Sequence, residues 1–195
     1  MATETANLDL NSTAGLASIA ELGDEAGALV QPDLHPYDYV QLLLDKALYP
    51  DAVRFLAHAL PKREGVWWAW MCARRAAGDN PPPKIKTALE STERWISQPS
   101  EENRRAAMAA AEKADFGTPA GCAGLAAFFS GGSLAPPEAP PVPPGEYLTA
   151  RAVSGAVIFA AVGPEPAKAP EKFKSFVAQA LDVTRRIQRW PPKQG

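Results

Sequence analysis

Apolar positions in this chain return every three or four residues over most of its length, and nowhere do they alternate with polar ones long enough to suggest a strand. The first clear stripe lies in HPYDYVQLLLDKAL, where Val40, Leu43, Leu44 and Leu48 share a helical face behind Pro36, a residue suited to a first helical turn. Pro50 closes that element and opens the next, DAVRFLAHAL, which sets Val53, Leu56 and Leu60 on one stripe with Asp51 facing the positive end of the helix dipole. Pro61 then opens PKREGVWWAWMCARRAA, and Gly78 with Pro81 to Pro83 ends it. In KIKTALESTERWIS, Ile85, Leu89, Trp95 and Ile96 fall on one side. Ser100 followed by Glu101 and Glu102 predicts a capped start for the alanine-rich NRRAAMAAAEKA, whose small side chains allow close helix approach. A short sixth helix follows in TPAGCAGLAAFFSGG, with Thr118 as cap, Pro119 in the first turn and two glycines as a stop.

Residues 134–145, LAPPEAPPVPPG, cannot be helical and read as a polyproline connector between two helical groups. Beyond it the pattern predicts a helix from Tyr147 to Val162. An amphipathic helix follows from about Glu171 to Trp190, with Phe173, Phe176, Val177, Ala180, Leu181, Thr184 and Ile187 on its stripe. Residues 1–33 are small, acidic and poor in aromatics, so the cost of ordering them exceeds what they can bury by sequence pattern alone. They are expected to form a disordered acidic arm. The fold class is all-α: about eight helices in an irregular bundle or a short stack of antiparallel helical hairpins, forming a single domain over residues 34–195. RRAA occurs at Arg74 to Ala77 and again at Arg104 to Ala107, but the flanking residues do not align, so it is no repeat.

Composition narrows the function classes. The 195 residues carry a formal net charge of -2, but residues 1–30 contain five acids and no Lys or Arg, which leaves the remainder mildly basic. That balance lacks the basic stripe of a nucleic-acid binder. The N-terminus has no basic region ahead of an apolar run, so a secretory signal is not expected. The longest apolar stretch, AVSGAVIFAAV at 152–162, is about half of the ~20 residues a membrane span needs and reads as a buried helix. Cys72 and Cys122 sit among apolar residues without metal-ligand spacing, which fits a reducing cytoplasm. No metal or cofactor is expected.

The densest candidate chemistry is in VWWAWMCARR. At about 100° per residue, Trp67, Trp68 and Trp70 cover close to half of the helical cylinder, and both Arg74 and Arg75 fall on that arc. Two readings stay open. Either the tryptophans fill a core and Arg74 stacks on a ring, or Trp68, Arg74 and Arg75 form an exposed patch of the residue types that anchor protein interfaces.

The run ALPKREGVWWAWMCARRA with the preceding YPDAVRFLAHALP resembles the core signature of an uncharacterised bacterial family, a helix-rich domain of unknown function, over roughly Tyr37 to Arg75. The resemblance implies an accessory protein associated with secretion systems, including contractile type VI systems, and lends no catalytic residues.

Enzymatic alternatives are thin. Only two histidines, His35 and His58, are available to activate a nucleophile, and a small hydrolase or ligand-binding enzyme using His58 or Cys72 is the rival reading. Glu101 and Glu102 already have a helix-start role, and GCAG and SGGS lack the lysine and preceding strand of a phosphate loop. The arginine pairs at 74–75, 104–105 and 185–186 could gather an anion, although acids such as Glu101, Glu112 and Asp182 lie within reach as ordinary partners. The expected function is therefore an adaptor that presents a helical surface to another protein, such as a secretion-system component or effector.

Overall fold

Hydroxyl and proline caps set the helix starts where the sequence places them. The computed structural model describes residues 9–190. Among them are ten α-helices, one 3₁₀ turn and no strand. In order the helices are α1 (Thr13–Ile19), α2 (Asp24–Ala28), α3 (Pro36–Asp45), α4 (Tyr49–Ala59) and α5 (Lys62–Ala77). They continue as α6 (Pro83–Ser97), α7 (Glu101–Ala114), α8 (Pro119–Phe128), α9 (Leu148–Val162) and α10 (Ala169–Arg186), with the 3₁₀ turn at Pro166–Lys168. Ser100 Oγ accepts from the Asn103 N–H at 3.2 Å, and Thr118 Oγ1 accepts from Gly121 at 3.0 Å, so both predicted caps satisfy a helix donor left without an intrahelical partner. Gly78 ends α5 at φ 68, a left-handed backbone that favours glycine.

The centre is built from small residues. α8 packs on α5, α6, α7 and α9, and α9 also packs on α4, α5 and α10. This close arrangement depends on the alanine and glycine content of α7 and α8: a Cβ added at Gly124 would stand 2.9 Å from the Ala107 carbonyl oxygen and 3.0 Å from the Ala111 Cβ. Around this centre the larger side chains of α3, α4, α5 and α10 complete one core containing Tyr39, Phe55, Leu56, Trp68, Phe173 and Phe176.

The connector at 134–145 contains no helix and is largely exposed, as predicted, and α7 holds its start. The Arg104 Nη2 donates to the Ser133 carbonyl at 2.8 Å, and the Arg105 Nη2 donates to that of Ala135 at 2.9 Å.

The described part of the expected N-terminal arm is not disordered. Residues 9–33 carry the two extra short helices, and Leu16, Ala20 and Ala26 are fully buried. The physical reason is that docking sites for single apolar side chains exist on the assembled bundle, and polar tethers fix the segment between them. The Gly23 N–H donates to Asp51 Oδ1 at 2.9 Å, the Tyr39 hydroxyl donates to the Ala26 carbonyl at 2.7 Å, and Arg189 Nη2 donates to the Leu10 carbonyl at 2.7 Å. Glu21 and Arg151 form an ion pair across the same junction. Residues 1–8 of that arm lie outside the described residues. A second difference concerns the last helix, which ends at Arg186 rather than Trp190. Gln188 adopts φ 51, and Trp190 folds back into the core edge-on to Tyr37.

Candidate docking site at the C-terminal end of α5

The tryptophan helix resolves its two readings residue by residue. Trp68 is completely buried, and its indole Nε1 donates to the Phe176 carbonyl of α10 at 2.9 Å. That placement corrects the expectation that Trp68 is part of an exposed binding patch. The reason is that α10, more than one hundred positions away in sequence, lies across the edge of α5 that the helical wheel alone leaves open. Trp70 is also core, with Nε1 donating to Leu89 of α6 at 3.0 Å, and Trp67 is half-buried. Buried indole N–H groups find acceptors here, as such groups must.

Arg74 and Arg75 remain at the surface, in the last turn of α5. The Arg74 guanidinium lies over the Trp70 ring at 5.4 Å, so one of its faces rests on aromatic carbon. Arg75 donates to Ser175 Oγ at 2.7 Å and lies 5.7 Å from the Phe176 ring centroid. Both positions are also favourable for a cation near the negative end of the helix.

Three depressions meet around this end of α5. The largest, about 610 Å³, is polar and holds Arg74, Lys86, Asp79, Glu90 and Glu93 beside Trp70. A second, of about 340 Å³, is lined by Arg75, Lys168 and Lys172 together with Glu165 and Glu171. The third is an apolar groove of about 450 Å³, formed by Ala76 and Ala77 of α5, Ile85 of α6, Pro119 of α8, and Phe159 and Val162 of α9. No charged side chain lines it. Phe159 and Val162 are 39 % and 41 % exposed, although the sequence pattern reads their helix as buried. The available signal was their spacing of three: the two share a face, and a helix apolar on every side must leave some face uncovered if it ends at the rim of a bundle.

The two residues of the rival enzymatic reading do not form a dyad. His58 borders a separate cleft of about 220 Å³ with Glu21, Arg54, Arg151 and Ser154, and Cys72 does not reach it. His58 Nδ1 lies 2.8 Å from the Arg54 carbonyl, so it carries the proton, and Nε2 is buried with no partner among the described residues. Burial lowers the His58 pKa below its usual range, with a smaller lowering from Arg151, against the Arg54 carbonyl and Glu21. The Cys72 thiol is fully enclosed, and burial raises its pKa far above the ordinary value despite Arg75 nearby. It is held as a thiol, not as the thiolate that nucleophilic chemistry uses.

The other arginine pairs do not assemble an anion site. Arg104 is buried, with Nε 2.6 Å from Glu101 Oε2, and Nη1 donates to the Phe128 carbonyl at 2.5 Å. Arg105 shares Glu101 at 2.6 Å, and Arg185 pairs with Asp182 at 2.9 Å. Among the described residues no group of three or more His, Cys, Asp or Glu side chains is placed to hold a metal ion, and no helix is long and apolar enough to cross a membrane.

No curated protein and no solved structure matches the chain. Residues 39–184, from the end of α3's first turn to the last turn of α10, match the family of unknown function DUF6931. That span is three quarters of the sequence, and the chain belongs to this family.

Proposed function

We propose that this protein is a non-catalytic interaction module that docks another protein at the C-terminal end of α5. The observation carrying this reading is the apolar groove with Phe159 and Val162 exposed in it, near the end of α5 where Arg74 and Arg75 line two further depressions. An apolar centre with a polar, arginine-bearing rim is how protein interfaces are generally built, and arginine is enriched in them. Charged groups of both signs populate the neighbouring depressions, which suits orientation of a macromolecular partner better than capture of one small ion. In the setting suggested by the sequence resemblance, the module works in the bacterial cytoplasm as an accessory factor, and the docked protein is a secretion-system component or effector on its way to loading.

The enzymatic alternative has less support, because the Cys72 thiol is enclosed and His58 faces a different cleft. The test is site-specific photocrosslinking in the native host with a benzophenone side chain at position 159 and, as control, at Glu138 in the exposed connector. A discrete adduct with one protein from position 159 alone is the expected result. No adduct at 159, or the same mixture from both positions, would remove the groove as a docking site.

A further inference from the structure

Residues 9–33 are lightly attached to the bundle. Their two helices have seven and five residues, too short to persist in water unsupported, and α1 packs chiefly on α4. Leu16, Ala20 and Ala26 supply the fully buried apolar side chains, and single polar groups supply the rest: Asp51 on Gly23, Tyr39 on Ala26, Arg189 on Leu10 and Arg151 on Glu21. The Glu21–Arg151 pair is more than half exposed on both sides, so it contributes little. Glu21 also holds a left-handed φ of 51, which costs energy in a residue other than glycine.

Ala20 and Glu21 close one side of the cleft that contains His58, and side chains of α4 and α9 form the others. Charge there is matched one to one while His58 is neutral. Arg54 pairs with Asp51 at 3.1 Å, Arg151 pairs with Glu21, and no other arginine, lysine or carboxylate lines the cleft. The Tyr147 ring stands 5.7 Å from the imidazole. Because Nδ1 already donates to the Arg54 carbonyl and the buried Nε2 has no partner among the described residues, a proton added at Nε2 creates a donor without an acceptor. It also sets a third cation against two carboxylates. α4 and α9 are fixed in the core, which leaves the α1–α2 junction as the wall that can move aside without unfolding the bundle.

We infer that residues 9–33 are an acid-released strap, closed over α4 and the start of α9 while His58 is neutral and undocking as one unit, ahead of the rest of the fold, when Nε2 takes up a proton. Burial is the chief cause of the lowered His58 pKa in the closed form, and Arg151 adds to it against the Arg54 carbonyl and Glu21. The neutral imidazole's support for the closed form is therefore complete above the ordinary value of 6.5 and is lost as pH falls through the lowered one. Undocking bares the seat of Leu16 on the bundle and frees Arg151 from Glu21.

The test uses the full chain carrying Ala20→Cys or, separately, Ala26→Cys, labelled with 4,4′-dithiodipyridine from about pH 7.5 to about pH 5.5, above the carboxylate range. Each rate, divided by that of the same thiol in the unfolded chain at the same pH, gives its protection, and the enclosed Cys72 is the internal reference for the bundle. Both introduced thiols are expected to be at least about tenfold less protected than Cys72 and to agree with one another. Their protection should fall by roughly threefold to tenfold across this range, the upper figure being the limit for an exposed histidine of pKa about 6.5. His58→Gln should remove the acid response. Amide hydrogen exchange of the unsubstituted chain, read over residues 9–33 against α5, checks the opening where neither alanine is replaced. Protection equal to that of Cys72, or unequal at the two positions, overturns the strap as a separate unit. Protection that stays constant or rises in acid, as it would if Glu21 turned to accept from protonated His58, overturns the switch, and so does an acid response that survives His58→Gln.

Discussion

Trp68 donates its indole N–H to the Phe176 carbonyl across a distance of 2.9 Å, and this bond joins α5 to α10 in the fully buried core. Replacing Trp68 by Phe keeps most of the ring volume but strands the acceptor, which should cost about 1–3 kcal/mol. Trp68→Ala adds a cavity and should cost about 3–5 kcal/mol. Urea denaturation measures both, and the emission of Trp68, isolated by replacing the other tryptophans with Phe, should be that of a dry indole in the folded state only.

The docked N-terminal segment should matter for stability. Leu16 is fully buried against the bundle, so Leu16→Ala should destabilise by about 2–5 kcal/mol, and removal of residues 1–33 should lower the thermal midpoint by several degrees or more. Calorimetry on the two variants provides the measurement; an unchanged midpoint for the truncated chain would mean that the segment adds nothing to the fold.

Glu101 holds Arg104 and Arg105 together at the start of the connector. Hydrogen bonding to Arg104 is the chief cause of its lowered pKa, opposed by slight desolvation and aided by the Arg104 charge and by Arg105. A carboxyl with a depressed folded pKa adds stability above its unfolded value near 4.5, and loses that contribution as pH falls through the folded value. Glu101→Gln should therefore destabilise the protein at neutral pH, and its denaturation curve should converge on the wild type in acid.

His58 gives a second pH dependence in a different window. Its folded pKa is depressed, mainly by burial, so the unfolded chain takes up a proton first as pH falls below about 6.5. The neutral imidazole's contribution is complete above that value and is lost as pH falls through the folded pKa. NMR titration should show His58 titrating below the usual histidine range, and His58→Gln should flatten the stability profile between pH 7 and 5.

Neither cysteine should behave as a reactive nucleophile. Burial pushes the Cys122 pKa up to about 11, its thiol donates to the Phe116 carbonyl at 3.0 Å, and Cys72 is more deeply enclosed still. Thiol reagents at neutral pH should label both only at the rate of opening, with full labelling after denaturation. A rapid stoichiometric reaction at Cys72 in the native protein would revive the hydrolase reading.

The helix boundaries and the all-α class were legible because their determinants are local. Ser100 and Thr118 cap the residues three positions on, and prolines at 36, 50, 83 and 119 occupy first turns whose amide donors need no partner. The stacking of Arg74 on a tryptophan ring was legible as one of two open readings of α5, and its exposure together with that of Arg75 came from the structure. Trp68 was not: a wheel gives its direction on α5 but cannot show that α10 covers that direction. The same limit applied to the N-terminal segment, in which a single leucine in α1 and a single buried alanine in α2 are too little to predict docking. Asp51, Tyr39 and Arg189, the residues that tether it, are far away in the chain.

The sequence by itself thus determined where this chain turns helical and where each helix stops, through spacing, caps and prolines acting over a few residues. Tertiary structure alone decided which apolar faces stay open. Phe159 and Val162 on α9 are exposed because α5, α6, α8 and α9 meet there with no further element across them among the described residues, and that gap depends on how separate helices pack rather than on the pattern within any one of them.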